Sequence, residues 1–143
     1  MRLADPEAQK LDDIQYATVS QLHAYQVKWT IAGSVVSYAD FKKLFAGLVS
    51  SWQRLRQLGW AAGKQVYGHL LTNKPFSEHD RIPTSAGPAG TFAEFYQRVW
   101  LQIRLGKPYD ARWQPAVTEL CALAGLSEAA FIEFGQFFVL HPW

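Results

Sequence analysis

The sequence predicts an α/β fold, a small mixed sheet made of a hairpin plus a crossover strand, flanked by helices and followed by a helical C-terminal half. Three observations carry this. Two runs rich in aromatic and β-branched residues stand on either side of the short polar link Val19-Ser20-Gln21. A long stretch with apolar residues at three- and four-residue spacing comes next, and a third β-rich run follows it. From Thr91 onward the helical spacing recurs between Gly and Pro breaks.

Leu11 to Thr18 reads as the first strand of the hairpin and Leu22 to Thr30 as the second, antiparallel to it. Ala32-Gly33-Ser34 interrupts. Ser37, three residues before Asp40, then caps a helix whose apolar stripe is Phe41, Leu44, Phe45, Leu48, Trp52 and Leu55, ending near Gly59. Gln65 to Thr72 is expected to return as a strand beside the hairpin, stopped by Asn73-Lys74-Pro75. Residues 76–90, rich in Pro, Gly, Ser and charge, form a long loop, the best candidate for a mobile or substrate-facing segment. Thr91 and Glu94 start the next helix, which runs to Gly106 and Pro108. Helices over Pro115 to Ala124 and Ser127 to Val139 complete the chain, joined by Gly125-Leu126. The expected organisation is one compact unit, with an α/β core over 1–90 and a helical extension over 91–143 packed on it.

With 49% apolar residues in a chain of 143, disorder is excluded and a sizeable core is expected. No apolar run reaches the length of a membrane span and the N-terminus lacks a secretory pattern, so the expected location is the cytoplasm, with no membrane partner. Cys121, the single cysteine, cannot close an internal disulfide and falls in an apolar helical pattern, which predicts a buried, inert thiol. Fourteen basic residues against twelve acidic ones are too evenly balanced to argue for nucleic-acid binding by charge alone.

The chemistry must therefore come from local residues. Residues two apart share a strand face, so Gln26 and Lys28 are expected on one face, while Tyr25, Val27 and Trp29 point into a core on the other. Pairing of the hairpin would bring Asp12 or Asp13 within about 5 Å of that polar face. A carboxylate, an amide oxygen and an ammonium together suit metal-assisted phosphodiester cleavage. Mg²⁺ (or Mn²⁺) takes oxygen ligands, here Asp12, Asp13 and Gln26, and Lys28 would orient the attacking water and offset charge in the transition state.

Asp13, followed thirteen positions later by Gln26-Val27-Lys28, resembles the D-x(n)-(E/Q)-x-K signature of the PD-(D/E)XK, or restriction-endonuclease-like, nuclease superfamily. The likeness spans roughly Leu11 to Asp80 and is nearest to the N-terminal double-stranded DNA nuclease domains of bacterial anti-phage defence proteins. It implies a restriction-endonuclease-like fold and Asp13, Gln26 and Lys28 as catalytic residues. It also implies double-stranded DNA as substrate and, as partners, a fused or separate ATPase or nucleotide-sensing module and further copies of the chain. Members of that group usually carry a helix before the acidic strand. Nothing before Leu11 matches it, so an N-terminally truncated member is the expectation, and the alternative is a catalytically silent fragment whose apolar ends dock a partner.

Other readings are weaker. Thr72-Asn73 reads as turn chemistry, and His79-Asp80 as solvent-exposed loop residues. His23 and His69 lack ligand-like spacing, and no Ser or Cys has a readable base. The helix pair around Gly125 has the cadence of a DNA-reading helix-turn-helix. However, no Lys or Arg follows Arg112 to meet phosphates, so a structural helical hairpin is expected.

Overall fold

The computed structural model of the chain describes residues 2–3, 14–18, 20–28, 34–58 and 61–141. Ser37 begins the main helix, α1 (Tyr38–Arg56), through a complete capping box: its hydroxyl accepts from Asp40 N–H and the Asp40 carboxylate accepts from Ser37 N–H. That exchange satisfies two of the backbone donors that a helix start leaves open. Phe41, Phe45, Leu48, Trp52 and Leu55 are buried along its inner stripe, as their spacing requires.

Among the described residues the sheet has five strands in chain order, β1 (Arg2–Leu3), β2 (Ile14–Ala17), β3 (Gln21–Lys28), β4 (Gln65–Thr72) and β5 (Phe138–His141). β2 and β3 form the expected antiparallel hairpin, with Ile14 opposite Tyr25, and the α1 crossover returns β4 parallel to β3, with Gln26 opposite Leu70. Arg2 and Leu3 pair with Gln15 and Ile14, so a short strand does precede the hairpin.

Beyond the loop the chain is mostly helical. α2 (Phe92–Phe95) opens on Thr91, whose hydroxyl accepts from Glu94 N–H. It widens into a π-helical turn over Tyr96–Trp100, where Leu101 N–H reaches back five residues to the Tyr96 carbonyl, and tightens again as α3 (Leu101–Arg104). A 3₁₀ turn (Ala111–Trp113) leads into α4 (Gln114–Ala124) and α5 (Glu128–Phe137), and Gly125 between them adopts φ of 65°. That left-handed conformation is the one a helix C-cap most often takes, and glycine adopts it without strain.

Two expectations need correction here. The last helix does not run to Val139: it stops at Phe137 and the chain becomes β5, parallel to β4. The apolar finish Phe138-Val139-Leu140 is therefore buried sheet rather than an exposed docking end. A short apolar run satisfies helix and strand patterns alike, and an open edge on β4 decided between them. The second correction concerns the loop over 76–90, whose composition suggested a loose segment. Phe76 and Ile82 are buried, Ile82 bridges Gly90, and Asp80 accepts from two helix starts, Tyr38 N–H at 2.8 Å and Phe92 N–H at 2.7 Å.

One core joins both halves of the chain. Trp100 lies at its centre, fully buried, in edge-on contact with Phe41, Phe45, Phe131 and Phe134, and its indole N–H donates to the Phe138 carbonyl at 2.9 Å. Edge-to-face geometry places the positive ring edge on a negative ring face. Cys121 is buried and its thiol pKa is raised by burial, matching the expected inert thiol. Among the described residues no single helix is long and apolar enough to cross a membrane.

Candidate functional site

The sheet has two unlike faces, and strand alternation assigns each side chain to one of them. Leu22, Ala24, Val66, Leu70, Phe138 and Leu140 lie on the helix-covered face and join the core. Gln26 alternates with Leu22 and Ala24, so it too lies on this face, and it is only 7% exposed. This reverses the expected orientation: Tyr25, not Gln26, is on the face away from the helices. Propensity read Tyr25 as core because it is aromatic, whereas the pleat is fixed by which set of residues meets α1.

Gln26 has company on that face. Gln15, opposite Ala24 across the hairpin, is fully buried, and neither its amide oxygen nor its amide nitrogen finds a hydrogen-bond partner among the described residues. A buried amide without a partner is costly and calls for a chemical reason. The backbone of Lys28 ends β3 opposite Thr72, whose hydroxyl donates to the Lys74 carbonyl at 2.8 Å in the expected turn. Asp12 and Asp13 lie outside the described residues. Asp13 is the chain neighbour of Ile14, and Ile14 pairs with Tyr25, the neighbour of Gln26.

Gln26 thus offers one neutral oxygen ligand on the described part of the sheet, and the acidic ligands of the Mg²⁺ reading would have to be Asp12 and Asp13. Among the described residues no three His, Cys, Asp or Glu side chains are grouped to hold a metal ion. The cleft bounded by Trp52, Arg56, Lys64 and Phe137, about 150 Å³, also borders Gln65 at the start of β4. It therefore sits at the opposite end of the sheet from Lys28 and Thr72, about 20 Å away along an eight-residue strand.

The opposite face carries a constellation that spacing did not reveal. His23 on β3, His69 on β4 and His141 on β5 lie on one diagonal, with His23 Nδ1 2.8 Å from His69 Nε2 and His69 Nδ1 2.9 Å from His141 Nε2. Tyr25 stacks on His69 at 4.1 Å between ring centroids, and Tyr67 stacks on His23 at 4.9 Å. His69 is pushed down to about 3 by burial, then by the His141, His23 and Arg104 charges. His141 is lowered by burial and Arg104, and His23 by burial. The three rings come from strands far apart in sequence, so only the strand order β3-β4-β5 could bring them together.

The helix pair α4 and α5 bends by 90°, an angle a helix-turn-helix also shows. Glu128 and Glu133 stand at the exposed side of α5, and Glu133 is held by Arg56 at 2.9 Å, which fits a structural hairpin rather than a helix that reads DNA. No known family model, characterised protein or solved structure matches this chain.

Proposed function

We propose that the chain is a metal-dependent endonuclease that hydrolyses phosphodiester bonds of double-stranded DNA, with a restriction-endonuclease-like core and Asp13, Gln26 and Lys28 as its catalytic set. The observation that carries the reading is the placement of Gln26-x-Lys28 at the end of β3, between the hairpin partner that follows Asp13 and the parallel strand β4. The buried Gln15 amide, whose side-chain atoms meet no hydrogen-bond partner among the described residues, supports it. Asp12, Asp13 and Gln26 would hold Mg²⁺ or Mn²⁺, which when bound supplies Lewis-acid polarisation of the scissile phosphate. Lys28 would position the attacking water and offset charge developing on the phosphate. A role as the effector part of a bacterial defence system, in a homo-oligomer or beside an ATPase or nucleotide-sensing module, belongs to the same proposal.

The test is cleavage of plasmid and linear double-stranded DNA with Mg²⁺ or Mn²⁺, comparing the chain with Lys28→Ala. Metal-dependent cutting that falls by roughly 100-fold or more in the variant is expected, the scale set by loss of one transition-state charge partner. Metal-dependent cutting that survives in Lys28→Ala would refute the assignment of the lysine. No cutting by either protein would favour the silent, partner-docking reading.

A further inference from the structure

The histidine row has a direction that its end partner fixes. His23 Nε2 lies 3.0 Å from the Gln21 side-chain oxygen, and with that oxygen as acceptor the proton of neutral His23 is on Nε2. Its Nδ1 must then accept, which places a proton on His69 Nε2. By the same step His69 Nδ1 accepts from His141 Nε2–H. With the Gln21 oxygen as the end acceptor, all three rings are the Nε2–H tautomer and the row runs His141 to His69 to His23 to Gln21. Its two ring-to-ring bonds are each accepted by a neutral imidazole nitrogen.

This polarity limits what the row can take up. A first proton fits on Nδ1 of His141, the acceptor at its end, without breaking a bond. A second proton must occupy a nitrogen already used as an acceptor and so must break one of the two ring-to-ring bonds. Among the described residues, the groups facing the row include the Tyr25 and Tyr67 rings, the Gln21 amide and the Arg104 cation of α3. None of these is a carboxylate that would stabilise imidazolium.

We propose that the row is an acid-released clasp on the edge strand β5, tying His141 through His69 to β3 when neutral and freeing His141 at the end of β5 once a second proton breaks a ring-to-ring bond. The start of β5 is pinned separately: Phe138 is fully buried under Phe134, and its carbonyl accepts from Trp100. Leu140 is held as well, only 2% exposed in the core, so release is confined to His141, paired with Leu71 at the end of the sheet where β3 carries Gln26 and Lys28. The clasp follows from the side-chain geometry and does not depend on the nuclease reading.

Two measurements on the full chain test it. Imidazole ¹⁵N shifts at pH 7.5 should show all three rings as the Nε2–H tautomer, and a Nδ1–H tautomer at His23 or His69 would overturn the stated direction. Amide exchange, corrected for its intrinsic pH dependence, should show protection at His141 falling tenfold or more between pH 7.5 and pH 5, relative to Leu48 in α1. In the double variant His69→Gln/His141→Gln, which leaves no titrating ring against β5, that pH-dependent difference should vanish. Equal protection at both pH values in the unmodified chain, or a pH dependence that persists in the double variant, would refute the clasp.

Discussion

Replacing Asp80 tests whether one loop carboxylate fastens two helices. Its two oxygens accept separately, Oδ2 from Tyr38 N–H at the first turn of α1 and Oδ1 from Phe92 N–H at the first turn of α2. Both contacts satisfy backbone donors that helix starts leave open, and both set negative charge at the positive end of a helix. A lost cap typically costs about 1 kcal/mol and at most about 2 kcal/mol, so Asp80→Ala, losing two, should cost about 2–4 kcal/mol. Asp80→Asn keeps one oxygen acceptor, but its amide N–H groups must face one of the two backbone donors. It should therefore lose at least about 1 kcal/mol while remaining more stable than the alanine variant. Urea unfolding followed by far-ultraviolet circular dichroism measures both. With a slope of about 1–3 kcal/mol per M, the alanine midpoint should fall by roughly 1 M or more. A loss below about 1 kcal/mol in Asp80→Ala would show that the loop is not a tie between α1 and α2 and would refute the reasoning.

Three other perturbations follow from the same geometry. Trp100→Ala removes a fully buried ring from the centre of the aromatic core, together with the donor to Phe138, and should cost at least about 3–5 kcal/mol by denaturant unfolding; a cost under about 1.5 kcal/mol would contradict its central place. Gly90→Ala would set a methyl 2.3 Å from the Trp113 ring, which is fully buried and cannot swing away, so a loss of about 1–3 kcal/mol is expected and an unchanged melting temperature would argue against that packing. The histidines impose a signed pH dependence: their folded pKa values lie below the unfolded 6.5, so the unfolded chain takes up protons first and stability falls as the pH drops through 6.5 towards the folded value of about 3 for His69. His69 alone should remove up to about 2 kcal/mol between pH 7.5 and pH 5; unfolding curves that superimpose at the two pH values would refute it.

The local signals in the sequence marked most element boundaries. Ser37 and Asp40 marked the start of α1 because a capping box is made within four residues, and Gly125 marked the end of α4 because its backbone conformation belongs to glycine. Gln65 to Thr72 was legible as a strand from its flanking breaks, and the antiparallel hairpin from the short link between its strands. The widened turn at Tyr96–Trp100 left no such mark, since its sequence suits an ordinary helix equally well.

The sequence by itself also determined the α/β class, because apolar period and turn residues act over a few positions. Tertiary structure alone decided three other things. It made Phe138–His141 a strand, because the open edge of β4 supplies hydrogen-bond partners that a helical continuation would leave unused. It turned Gln26 inward, because a strand's pleat has two equivalent phases until a helix covers one face. It joined His23, His69 and His141, because residues 46 and 72 positions apart become neighbours only when β3, β4 and β5 lie side by side.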